Sequence, residues 1–222
     1  MRRILLVRRK VVKVIRMSSL NNNAGEAAKY EKKSPMEHVL LRPDTYIGGV
    51  GLREDYEYWT FDKKIGKMIN RNGSYPPGLL KIFDEILVNS ADNKTRDHAM
   101  DRLEVNVDRA ASRISVWNNG KGLPIEIHPT EGVYVPTLVF GNLFTSSNYD
   151  DNVIKTVGGR NGYGAKLCNI FSKEFIVETV DISRKLKFRQ RWYQNMQKCD
   201  DPIVEEINDL NATDYTKSNV QF

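Results

Sequence analysis

Between Gly78 and Asp97 the chain carries its longest helical pattern, GLLKIFDEILVNSADNKTRD. Leu79, Ile82, Phe83, Ile86, Leu87 and Ala91 recur at the spacing of one helical face. Glu85, Asn89 and Asn93 fall at i, i+4 and i+8 on another, with Asp92 beside them. A solvated face is one reading of these polar residues. Asparagine is a poor choice for it, because its side chain competes for the backbone hydrogen bonds of the helix. An asparagine carbonyl is a good ligand for a hard cation such as magnesium. A carboxylate one turn away has the placement of a general base.

The segments around it supply a sheet. LEVNVD (103–108) and RISVWNN (113–119) alternate apolar and polar, and the four residues RAAS separate them, which predicts a hairpin. KEFIVETVD (173–181) and KLKFRQRWYQ (185–194) predict two more strands, and YEYWTFD (56–62) a further one. RNGSYPPG (71–78) reads as a loop. SPMEHVLLRPDTYIG (34–48) predicts a short helix with a capping box from Ser34 and Glu37, Pro35 at its first position, and Pro43 ending it. YVPTLVFGNLF (134–144) is helical beyond Pro136, TSSNYDDNVIKTV (145–157) is a polar loop, and AKLCNIFS (165–172) is a short helix. The sum is α+β, a sheet of antiparallel leaning with helices on one face. The tail beyond Lys198 is mixed and polar, which leaves the last strands of the sheet in question.

GGRNGYGAK (158–166) comes close to the Walker phosphate loop G-x-x-x-x-G-K-[ST]. Gly159 and Gly164 have its spacing, but Ala165 stands where the lysine belongs, and Lys166 where the hydroxyl residue belongs. A polar stretch precedes it instead of a buried parallel strand. It is therefore not a Walker loop. Its backbone N–H groups can still cradle phosphates, aided by the helix that begins near Ala165 and by Lys166. NNGKG (118–122) follows a strand, and its alternatives are an ordinary N-G turn or a tight approach to a ligand, with the Asn118 amide offering donor and acceptor to an adenine edge. TSSN (145–148) is either a loop or a set of oxygen and amide groups for ribose and phosphate.

Charge and composition narrow the class. Of the net charge of +6, seven basic residues lie in the acid-free stretch 1–16, which leaves −1 on residues 17–222. The body therefore lacks the basic excess of a dedicated DNA-binding domain. The basic start is an organelle transit peptide, an ill-ordered tail, or a stretch ahead of a true start at Met17. Residues 1–29 are read as a leader and 30–222 as one domain. The two cysteines and three histidines match no metal or redox spacing. No apolar run suits a membrane span.

Taken together and in order, these stretches resemble the GHKL (Bergerat) ATPase domain of the eukaryotic-type DNA topoisomerase II family. KIFDEILVNSADNKTRD (81–97) is similar to its N-box, and VWNNGKGLP (116–124) to its first glycine box. VPTLVFGNLFTSSNYDD (135–151) and GGRNGYGAKLCNIFS (158–172) are similar to its ATP lid. YEKKSPMEHVLLRPDTYIG (30–48) is similar to its N-terminal arm and first helix. Other GHKL proteins (chaperones, mismatch-repair proteins, histidine kinases) share the scattered box residues but not runs such as LLRPDTYIG. Two alternatives remain beside this reading: another GHKL ATPase, or a non-catalytic nucleotide-binding module.

The resemblance implies a two-layer sandwich of mixed, mainly antiparallel sheet with helices on one face. It implies ATP and Mg2+ as cofactors. Glu85 is then the general base, Asn89 the magnesium ligand, and Asn118 the adenine-recognising residue, with Asn93 lining the same pocket. Ser146, Ser147 and Asn148 contact ribose and α-phosphate. Gly159, Arg160, Asn161, Gly162, Tyr163, Gly164, Ala165 and Lys166 wrap the triphosphate. Tyr30 reaches the nucleotide of a partner subunit. A homodimer closed through this N-gate, double-stranded DNA as substrate of the longer enzyme, and a nuclear location follow from the family. A mitochondrial or plastid location follows instead if 1–16 is a transit peptide. The family's transducer lysine, metal-binding domain and DNA-cleaving tyrosine domain have no counterpart here. The resemblance thus implies a fragment or truncated product that binds ATP and hydrolyses it weakly.

Overall fold

The computed structural model describes residues 29–145, 162–208 and 218–222. Residues 34–222 cluster as one compact unit, and 1–33 as another, of which only 29–33 are described. In that short piece Tyr30 is 87% exposed.

The main unit opens with two short helices, α1 (Pro35–Leu41) and α2 (Pro43–Tyr46). The capping box is present: the Ser34 hydroxyl accepts from the Glu37 N–H, and the Glu37 carboxylate accepts from the Ser34 N–H. Pro43 stops α1 and starts α2, since its fixed φ suits the first helical position. A two-stranded ribbon follows, β1 (Arg53–Asp62) and β2 (Lys67–Tyr75), paired only with each other. Here the structure differs from the sequence reading, which placed a loop at 71–78. The segment is polar and contains Gly73, but that glycine lies under the Tyr58 ring, which leaves no room for a Cβ. The edge-on packing of Tyr75 on Tyr56 at 4.8 Å adds to the pairing. Cross-strand packing of this kind outweighs the weak strand propensity of the residues themselves.

Helix α3 (Pro77–Arg96) then carries the pattern that opened the sequence, with Ile82 and Ile86 buried. The expected hairpin, β3 (Leu103–Asp108) and β4 (Arg113–Asn118), follows, with Asp108 opposite Arg113 and Leu103 opposite Asn118. Two seven-residue helices come next, α4 (Val135–Gly141) and α5 (Gly164–Ile170). The antiparallel pair β5 (Glu174–Asp181) and β6 (Leu186–Tyr193) follows them. Short strands β7 (Lys198–Cys199) and β8 (Ile203–Glu206) pair with opposite ends of β6.

The tail supplies a further strand of the sheet. Strand β9 (Ser218–Gln221) inserts between β4 and β5 and pairs with both. Val220 stands opposite Val116 on one side and Val177 on the other. The main sheet therefore runs β3-β4-β9-β5-β6-β7, with β8 beside β7 on β6, and every pairing among the described residues is antiparallel. Val116, Phe175, Val177 and Trp192 from the sheet join Ile82 and Ile86 of α3 and Leu167, Cys168 and Ile170 of α5 in one core. Burying each of the larger side chains contributes about 1.5–3 kcal/mol. This packing fixes α3 and α5 side by side on the sheet, and so fixes the polar face between them.

Candidate functional site

Helix α3 presents Glu85, Asn89 and Asn93 in a row, all partly buried. At the N-terminal end of this row Glu85 meets α5. A Cβ on Gly164 would overlap Glu85 Oε2, so the carboxylate rests on bare backbone. The other oxygen, Oε1, is paired with Lys81 one turn earlier on α3. The hydrogen bond to Glu85, opposed by partial burial, leaves the Lys81 pKa raised above its ordinary value.

At the other end of the row, Asn93 Nδ2 donates to Asn118 Oδ1 at 3.2 Å. The same oxygen accepts from the Gly120 N–H at 3.1 Å. Asn118 is the last residue of β4 and is buried. Two donors from different elements therefore set the orientation of its amide, with the oxygen toward Asn93 and Gly120. Gly120 has no room for a side chain, since a Cβ would collide with Asn93 Nδ2 and approach Met100 Sδ at 2.9 Å.

The glycine stretch after β4 is held to β5 as well. Leu123 N–H donates to Thr179 Oγ1 at 3.2 Å, and Ile125 N–H to Asp181 Oδ2 at 3.1 Å. Gly122 lies on the Val180 carbonyl with no space for a Cβ. Burial pulls the Asp181 pKa upward. Hydrogen bonds from Ser183, from the Ile125 N–H and from Arg184 outweigh it and hold the carboxyl down at about 2.

The structure thus brings Glu85, Asn89, Asn93, Asn118 and Gly164 together with Gly120. From Glu85 to Asn93 the row rises about 12 Å, at 1.5 Å per residue. Gly162 and Tyr163 lead into α5, where Ala165 is buried. Lys166 is only 4% exposed, and its ammonium donates to the Thr145 carbonyl at 2.7 Å. Burial lowers its pKa to about 8. Its position ties the residue that precedes 146–161 to the helix that follows them. Ser146, Ser147, Asn148, Gly159, Arg160 and Asn161 lie outside the described residues.

One participant, Lys81, and one contact, between Glu85 and Gly164, were not singled out by sequence reasoning. Lys81 was legible as an i,i+4 partner of Glu85, a signal that the surrounding charges on the helix made ordinary. The seat of Glu85 on Gly164 depends on two segments about eighty residues apart and left no local signal.

Among the described residues no cluster of three His, Cys, Asp or Glu forms a metal site. The donor set still suits magnesium, which takes an amide or carboxylate oxygen and completes its shell with water and phosphate. Asn89 offers such an oxygen between Glu85 and Asn93.

Residues 74–193 match the family described as "Histidine kinase-, DNA gyrase B-, and HSP90-like ATPase". Fold and site together define a GHKL ATPase domain. The ATPase region of Saccharomyces cerevisiae topoisomerase II superposes with a TM-score of 0.83 at 50% identity, over 88% of this chain and 50% of that one. A Caenorhabditis elegans protein named as a mitochondrial DNA topoisomerase 2 is 74% identical over 86% of this chain and 16% of its own length. DNA topoisomerase 2 of S. cerevisiae is 52% identical over 85% of this chain and 13% of its own. The chain belongs to the DNA topoisomerase 2 family and corresponds to part of its ATPase region. It spans less than a fifth of the length of these two relatives.

Proposed function

We propose that the chain binds ATP with Mg2+ as part of the N-gate of a DNA topoisomerase II. The observation that carries this reading is the polar row itself, closed by Gly164 at one end and by Asn118 and Gly120 at the other. Asn118 recognises the adenine edge, its amide held by Asn93 and Gly120. Glu85 accepts the proton of the attacking water, in the role of general base. Asn89 holds the magnesium. Magnesium held there would supply positive charge to offset the negative charge that develops in phosphoryl transfer. Gly159 to Lys166 fold over the triphosphate through backbone N–H groups, and Ser146, Ser147 and Asn148 contact ribose and α-phosphate.

In the longer enzyme, binding closes a homodimer, with Tyr30 of each arm at the nucleotide of the other subunit. Nucleotide affinity and dimerisation then promote each other by the same factor. Double-stranded DNA is the substrate of that enzyme. The location is the nucleus, or the mitochondrion where residues 1–16 act as a transit peptide. The mitochondrial name of one relative favours the second. A tagged fusion with and without residues 1–16 decides between them.

The test of the nucleotide reading is a titration of a non-hydrolysable ATP analogue, with and without magnesium, together with the turnover of ATP itself, in wild type, Asn89→Ala and Glu85→Ala. Asn89→Ala abolishes magnesium-dependent binding. Glu85→Ala keeps binding and loses turnover. Loss of binding from Glu85→Ala would instead make Glu85 structural.

A further inference from the structure

The spacing that puts Asn89 one turn after Glu85 puts Lys81 one turn before it. An ion pair at this spacing on an open helix face contributes little. This one differs in what lies behind the carboxylate. Oε1 is held by the Lys81 ammonium, while Oε2 rests on Gly164 of the neighbouring helix. The Glu85 side chain is 20% exposed and Lys81 45%, so the pair closes the solvent side of a carboxylate whose other side is walled. The negative charge of Asp84 adds to the field that keeps Lys81 charged.

A glutamate carries three rotatable bonds, and a general base works only from within hydrogen-bond reach of its proton. Small misplacements of such a group cost on the order of a hundredfold in rate. The structure supplies two restraints on this side chain, one per oxygen. We propose that Lys81 is a positioning residue: its ammonium fixes the orientation of the Glu85 carboxylate against Gly164, and it acts on hydrolysis only through Glu85. The proposal rests on the reading of Glu85 as the base.

The experiment uses the 222-residue chain as wild type, Lys81→Met, Lys81→Arg, Glu85→Gln and the double variant Lys81→Met/Glu85→Gln. Single-turnover hydrolysis of radiolabelled ATP gives the rate, and a fluorescent ATP analogue with magnesium gives the affinity. Lys81→Met lowers the rate about tenfold or more, with affinity within about twofold. Lys81→Arg restores most of the rate. In the Glu85→Gln background Lys81→Met causes no further loss. Separately, trace acetylation read by mass spectrometry labels Lys81 faster in Glu85→Gln than in wild type, because the pair that holds its proton is gone.

Wild-type turnover in Lys81→Met overturns the proposal, as does a loss confined to affinity, absence of rescue by arginine, or equal acetylation of Lys81 in wild type and Glu85→Gln. Turnover that survives in Glu85→Gln overturns the reading of the base instead. Where the wild-type chain alone turns over too slowly to read, the acetylation of Lys81 in wild type against Glu85→Gln decides.

Discussion

Gly164 and Glu85 are in contact across two helices: Glu85 Oε2 occupies the space where a side chain at 164 would begin. Glycine is required at this position for room rather than for an unusual backbone angle. Gly164→Ala must push the carboxylate away or shift α5 against α3. Overpacking of this kind costs about 1–3 kcal/mol. We expect lower thermal stability and loss of ATP turnover. Unchanged stability and turnover would mean that Glu85 moves aside freely.

Asn118 makes a second test of the row. Its oxygen accepts from Asn93 Nδ2, which is partly buried, and from the Gly120 N–H, which is buried. Asn118→Leu removes that acceptor and leaves the buried Gly120 N–H without its bond, at about 1–3 kcal/mol. Asn118→Asp keeps the acceptor and spares most of that stability. Urea denaturation of the two variants separates them, and equal destabilisation would show that the oxygen is not what matters.

Lys166 gives a pH dependence of definite sign. Burial disfavours its charged form and sets its pKa at about 8, below the ordinary 10.5. Between these values the unfolded chain binds more protons than the folded one, so stability rises with pH. Relative to Lys166→Met, wild type gains up to about 3 kcal/mol between pH 8 and pH 10.5. The gain is absent below that window, where both states are protonated. Urea midpoints measured across that range check it, and a constant difference between the two proteins would place the ammonium in water.

The two cysteines should react very differently. Cys168 is fully buried on α5 and Cys199 is exposed. Burial pushes the Cys168 thiol far up, away from the thiolate that reacts. A thiol reagent therefore labels Cys199 in the native protein and Cys168 only on unfolding. Labelling of Cys168 at the rate of Cys199 in native buffer would mean that α5 opens readily from the core.

The sequence by itself determined what repeats within a few residues. The 3.6-residue period of 78–97 placed Glu85, Asn89 and Asn93 on one face, and the structure keeps them there. Alternation and a four-residue turn determined the β3–β4 hairpin, and Ser34 with Glu37 determined the start of α1. These signals are local, because helix, hairpin and cap are made by neighbours along the chain. Tertiary structure decided the rest. Strand β9 is four residues after a polar stretch, and only the gap between Val116 and Val177 makes it a strand. The Gly73 segment pairs because tyrosine rings pack across it. Lys166, read from the sequence as a charge beside the phosphate-cradling stretch, is drawn inside by the packing of α5, and its ammonium donates to the Thr145 carbonyl. The seat of Glu85 on Gly164 is of the same kind. Each depends on partners far apart in sequence, whose pairing energy exists only once the sheet and its two helices have assembled.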